Sequence, residues 1–157
     1  MSTILERRVV HCPYQRSRTQ LEQMLREPAE TGKSETLRLD APMGSTNGAS
    51  LHRDVTVTYG SATDPMHFDQ PWRVHWEPRA GGPYPDFDGM LTVRADETYR
   101  TSLLELKGEY KPPLGVAGAA FDALMGWRVA SATAQALLQK LAADIEEHYR
   151  SEENAKV

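Results

Sequence analysis

The stretch YKPPLGVAGAAFDALMG, residues 110–126, decides how the rest of the chain reads. Pro112 and Pro113 close what reads as a strand, because proline cannot donate to a ladder. The helix that follows opens with glycines and alanines where a core-facing helix ordinarily carries leucine. At ~100° per residue, one stripe runs through Val116, Ala119, Ala120, Ala123, Trp127, Ala130 and Ala134, then through Leu137, Leu138, Leu141, Ile145 and Tyr149. This stripe is predicted to face a sheet. Its second half is ordinary core, whereas its first half is alanine with a single tryptophan. An unfilled large-to-small gap in a core costs ~2–5 kcal/mol. Something must therefore occupy the space: large side chains reaching across from the sheet, or a ligand in a cavity.

Upstream, period-two alternation supplies the sheet. Leu37, Leu39 and Ala41 share one face of TLRLDA; Val55, Val57 and Tyr59 share one face of DVTVTYG; Val74 and Trp76 do so in RVHWE. Two more strands follow, with Leu91, Val93 and Ala95 on one and Leu104, Leu106, Gly108 and Tyr110 on the other. Strands that each keep a wet face argue for an antiparallel sheet covered on one side only. Asn47-Gly48, Gly81-Gly82-Pro83 and Asp96-Glu97 mark the reversals, and SATDPMHFDQP (61–71) reads as a loop. LERRVVHCP offers a further strand at the start. Leu21, Met24 and Leu25 at helical spacing predict a short helix over residues 17–27 that stops at Pro28. Gly126 is a candidate for a kink or break in the long helix.

The 157 residues, 39% apolar and 25% charged, fit one compact domain over residues 1–150 with a polar tail, 151–157, expected to fray. A net charge of -4 and a pI near 5.7 give no basic stripe, which argues against a nucleic-acid partner. The single cysteine, Cys12, allows no internal disulfide. No signal pattern opens the chain and no apolar run is long enough to span a bilayer, so the expected location is cytoplasmic.

Certain local runs carry a resemblance. Trp76-Glu77-Pro78, then GGPYPDFDG (81–89), then LELKGEYKPPLGVAG (104–118) with Asp122 shortly after, resemble a bacterial branch of the START-like (SRPBCC) helix-grip superfamily, which includes polyketide cyclases and pollen-allergen-like proteins. The resemblance implies an α+β helix-grip fold: a curved antiparallel sheet wrapped around a long C-terminal helix, with a short helical segment after the first strand. It also implies an elongated apolar cavity for a lipid, polyketide, isoprenoid or aromatic molecule. Ala120, Ala123, Trp127 and Ala130 would line it from the helix. Val57, Tyr59, Val74, Trp76, Leu91, Val93, Leu104, Leu106 and Tyr110 would line it from the sheet. One departure stands out, since the superfamily's meander usually has six strands where this sequence offers five.

The chemistry-bearing residues offer little for turnover. Gly32-Lys33-Ser34 lacks the glycine that a phosphate loop needs five residues earlier, where Glu27 stands, and reads as a turn with a cap. His11 and Cys12 are neighbours whose side chains would diverge on a strand, so they form no nucleophile-base pair. Asp64, His67 and Asp69, and the set Arg73, His75 and Glu77, have no recognised ligand spacing, and neither a metal nor a cofactor is expected. Tyr59, Tyr110, Trp76 and Trp127 are the polar handles that could orient an oxygen of a bound molecule. No inward carboxylate or histidine emerges from the alternation, so binding is favoured over turnover. The alternatives are a cyclase- or hydrolase-type enzyme working in the same cavity, or an interaction module. The latter would use Phe121, Met125 and Val129 on the outer face of the long helix, covered by the short helix or by a second copy in a homodimer.

Overall fold

The structure is a computed structural model that describes residues 2–42, 50–61, 71–79, 85–111 and 123–156. Eight elements follow in the order β1 (Ser2–Val10), α1 (Tyr14–Thr31), β2 (Glu35–Pro42), β3 (Ser50–Ser61), β4 (Trp72–Pro78), β5 (Asp86–Ala95), β6 (Ser102–Lys111) and α2 (Ala123–Asn154). All strand pairs are antiparallel, and the six strands are ordered β1-β6-β5-β4-β3-β2. The five strands after α1 form a simple meander. β1 closes the far side by pairing along its length with β6, from Ser2 opposite Tyr110 to Val10 opposite Ser102. The architecture is the α+β helix grip expected from the sequence. Proposed loop residues 62–70 lie outside the described residues, as do Asn47-Gly48 and Gly81-Gly82-Pro83.

α2 packs against both edge strands, β1 and β2, and against β6. One helix can touch both edges of a six-stranded sheet only if the sheet curls around it. α1 lies against β3 and β5 and buries Leu21 and Leu25, which closes part of the concave face. Its start is tied down by Ser17, fully buried, whose hydroxyl accepts from Ser102 Oγ at 2.7 Å and donates to the Cys12 carbonyl at 3.3 Å.

Two boundaries differ from expectation. α1 begins at Tyr14 and continues through Pro28 to Thr31, ending on Gly32 in the left-handed region (φ 68°). Proline forfeits a single ladder bond one turn before the end, and Gly32 supplies the cap that Gly-Lys-Ser was expected to give. α2 runs unbroken through Gly126 and continues to Asn154, so the polar end is helical beyond residue 150. No described helix is long and apolar enough to cross a membrane.

The convex face of the sheet carries ion pairs beside exposed Leu5, Val9 and Met90. Glu105 is only 8% exposed there because Arg7 (2.9 Å) and Arg94 (3.5 Å) clasp it from the flanking strands. His75 Nδ1 meets Asp88 Oδ1 at 2.9 Å, with Glu77 at 3.8 Å, a partly exposed surface cluster. The Asp96-Glu97 reversal is a β5-β6 turn in which the Asp96 carboxylate accepts from Glu97 N–H (2.6 Å) and the Thr101 hydroxyl (2.7 Å). Those bonds favour the ionised carboxylate and lower its pKa.

Candidate ligand site on the concave face

Alternation places Val55, Val57 and Tyr59 of β3, Val74 and Trp76 of β4, Leu91 and Val93 of β5, and Leu104, Leu106 and Tyr110 of β6 on the concave face, all buried. Ala95, grouped with Leu91 and Val93 by its spacing, is exposed at the strand end. The register aligns these side chains in rows. Tyr110, Phe87 and Trp76 stand opposite one another across β6, β5 and β4; Ile4, Gly108, Gly89, Val74 and Tyr59 form the adjacent row.

Phe87 was not legible as a core residue, yet it organises the centre. Its ring stacks on Trp76 with centroids 4.0 Å apart and planes 14° from parallel. The two glycines of the next row make room for it: a Cβ added at Gly108 would stand 2.6 Å from Phe87 Cζ, and one at Gly89 would stand 2.6 Å from the Lys107 carbonyl oxygen. Only a residue without a Cβ lets the ring lie across the strands here. Aromatics thus fill part of the space opposite α2.

Two polar atoms in this layer are left over. Trp76 is 0% exposed and Tyr59 5%, and neither Trp76 Nε1 nor Tyr59 Oη has a hydrogen-bond partner among the described residues. Buried polar groups are nearly always paired with protein, water or ligand, because leaving one unpaired costs ~1–3 kcal/mol. Burial raises the Tyr59 phenol well above its ordinary value, helped by the nearby Glu35 and Asp144 carboxylates, so it stays a neutral hydroxyl.

From the helix side the face is small in bulk near its start: Gly126, Val129, Ala130, Thr133 and Ala134 are buried, followed by Leu137, Leu138, Leu141, Ala142 and Ile145. Two assignments are corrected. Trp127, expected to face the sheet, is 47% exposed, whereas Val129, expected on the outer face, is 2% exposed. Measured from Gly126 at ~100° per residue, the buried positions near the start, Ser131 included, centre about 20° from Gly126, while those near the end centre about 70° further round. The stripe winds because the sheet it faces twists. A fixed angular face, taken from the leucine half, misplaces both residues. Ala120 and Phe121 lie outside the described residues, as do the side chains of Ala123 and Met125.

An inward carboxylate does exist. Glu6 shares the concave face of β1 with Ile4 and Val10, and its carboxylate accepts from Ser131 Oγ and from Gln135 Nε2 at 3.1 Å. The alternation was hidden because Glu6 and Arg8 interrupt the apolar positions. With both oxygens engaged by α2, Glu6 ties β1 to the helix. A separate cleft of about 260 Å³ opens between α1 and the end of α2, lined among others by Cys12, Arg16, His148 and Tyr149. Its charges are mutually paired: Arg16 bonds Glu152 and lies 5.9 Å above the Tyr149 ring, and His148 Nε2 contacts Glu152 Oε1 at 3.0 Å. Burial raises the Cys12 thiol pKa, which fits a packed small residue.

No family model matches the chain, and no curated protein matches it in sequence. Among solved structures, it aligns with the crystal structure of TTHA0849 from Thermus thermophilus at a TM-score of 0.51 and 11% identity, over 92% of this chain and 97% of that one. The two chains share one fold. Two further alignments are with a START superfamily protein from Mycobacterium smegmatis (TM-score 0.49, 12% identity, 92% and 97% covered) and a protein from Nitrosospira multiformis (0.47, 16%, 95% and 99%). These likenesses concern the fold alone.

Proposed function

We propose that this chain binds one small hydrophobic molecule between the concave sheet face and the first half of α2. The observation that carries this reading is the pair of buried, unpartnered donors, Trp76 Nε1 and Tyr59 Oη, in an otherwise apolar layer. The small residues of the facing helix, Gly126, Ala130 and Ala134, support it by leaving bulk to be supplied from elsewhere. A ligand that brings apolar surface and an acceptor would meet both needs.

Binding is favoured over turnover because Glu6, the concave-face carboxylate on β1, already serves two hydrogen bonds to α2. Titration with N-phenyl-1-naphthylamine, a neutral apolar fluorophore, tests the proposal. Saturable binding of one probe per chain, weakened at least tenfold by Ala130→Phe in a variant that keeps its circular dichroism, is expected. Unsaturable partition, or binding indifferent to Ala130→Phe and to Ala134→Leu, would overturn it.

A further inference from the structure

We infer that the ligand is electrically neutral and presents a hydrogen-bond acceptor oxygen, a ketone, ester or lactone rather than a carboxylate, to Tyr59 and Trp76. This rests on the binding reading above and sharpens it to a ligand class. The indole Nε1–H can only donate, and the phenol of a buried tyrosine donates readily, so the two atoms ask for an acceptor. They are neighbours on one face: Tyr59 is opposite Val74, two residues before Trp76, a diagonal pairing whose side chains reach one another's space across roughly 7–8 Å.

The charges around Tyr59 set the sign of the selection. Glu35 on β2 and Asp144 on α2 both act on the phenol. Lys140 Nζ lies 3.4 Å from Glu35, whereas no ion pair among the described residues compensates Asp144, an exposed carboxylate whose charge solvent partly screens. A carboxylate ligand would be repelled by that charge and would also lose its hydration on entry. A carbonyl oxygen bears no such cost and accepts both hydrogen bonds.

Displacement of N-phenyl-1-naphthylamine by three chains of equal length, 2-dodecanone, dodecane and dodecanoate, separates the terms. The expected order is 2-dodecanone about tenfold tighter than dodecane, as one or two buried hydrogen bonds would give, with dodecanoate weakest. Tyr59→Phe removes one of the two donors and should shrink the advantage of 2-dodecanone over dodecane severalfold, Trp76 Nε1 keeping the remainder. The double variant Glu35→Gln/Asp144→Asn should tighten dodecanoate severalfold while leaving it weaker than the ketone, because the carboxylate still loses its hydration on entry. Equal affinity for 2-dodecanone and dodecane in the parent, or a preference for dodecanoate, overturns this inference while leaving hydrophobic binding intact. Absence of fluorophore binding would instead defeat the binding reading itself. Should Tyr59→Phe lose its circular dichroism, the parent's ranking of the three chains decides alone.

Discussion

Gly108 gives a sharp test of how the concave face is packed. In a strand interior, replacing glycine by alanine ordinarily stabilises by ~0.5–1 kcal/mol because the unfolded chain loses freedom. Here the opposite is expected. A Cβ at Gly108 would stand 2.6 Å from Phe87 Cζ and still closer to the Asp88 carbonyl oxygen and Gly89 Cα, so turning the ring aside relieves only part of the overlap. Backbone must shift as well, and overpacking of this kind costs ~1–3 kcal/mol. Gly108→Ala should therefore lower stability by about 2 kcal/mol, seen in urea as a midpoint lowered by about 1 M for a slope near 2 kcal/mol/M. In a Phe87→Leu background the added loss should shrink by at least about 0.5 kcal/mol, since ring and Cβ compete for one space. Urea unfolding followed by circular dichroism and by tryptophan emission measures all four corners of the cycle. A Gly108→Ala variant as stable as the parent, or strict additivity with Phe87→Leu, would refute the claim that the ring lies across the paired glycines.

Three other outcomes are expected. Because burial raises the Tyr59 phenol pKa, the folded state keeps a proton that the unfolded chain releases above about pH 10. Stability should fall as pH rises past that value, and Tyr59→Phe should flatten the fall while costing nothing near neutrality, which urea midpoints from pH 8 to 11 will show. Val129→Asp should destabilise by more than about 3 kcal/mol, as burying an unpaired charge does, whereas Trp127→Glu should change the melting free energy by less than about 0.5 kcal/mol; the reverse ranking would restore the original helix face. Cys12 should react with a disulfide reagent only as fast as the protein opens, and fast labelling of the native state would contradict its burial.

Much of the fold was legible because half-buried antiparallel strands write their pleat into the sequence. Val57 and Tyr59, Val74 and Trp76, and Leu104 and Leu106 each alternate with polar partners, and β6 ends at Lys111, directly before the proline pair in the sequence. What escaped reading has physical causes. β1 was faint because Glu6 and Arg8 occupy concave positions, with Glu6 held by Ser131 and Gln135 instead of by apolar contact. Phe87 was hidden inside a run of glycine, proline and aspartate that looks like a turn, although Gly89 is a packing residue that accommodates the ring. Trp127 and Val129 exchanged places because a helix gripped by a twisted sheet buries a stripe that winds. Tyr59 and Trp76 were readable as inward polar handles, but their lack of partners belongs to the three-dimensional packing and leaves no mark on spacing.

The central claim, a ligand held between sheet and helix at Trp76, is best tested through the indole N–H resonances. The chain has three tryptophans, Trp72, Trp76 and Trp127, so a ¹⁵N-labelled sample gives three indole cross-peaks. Addition of 2-dodecanone should move the Trp76 peak downfield, saturating at one ligand per chain, while the half-exposed Trp127 peak stays in place. A shift confined to Trp127, or a Trp76 peak unmoved at saturating ketone, would contradict the account.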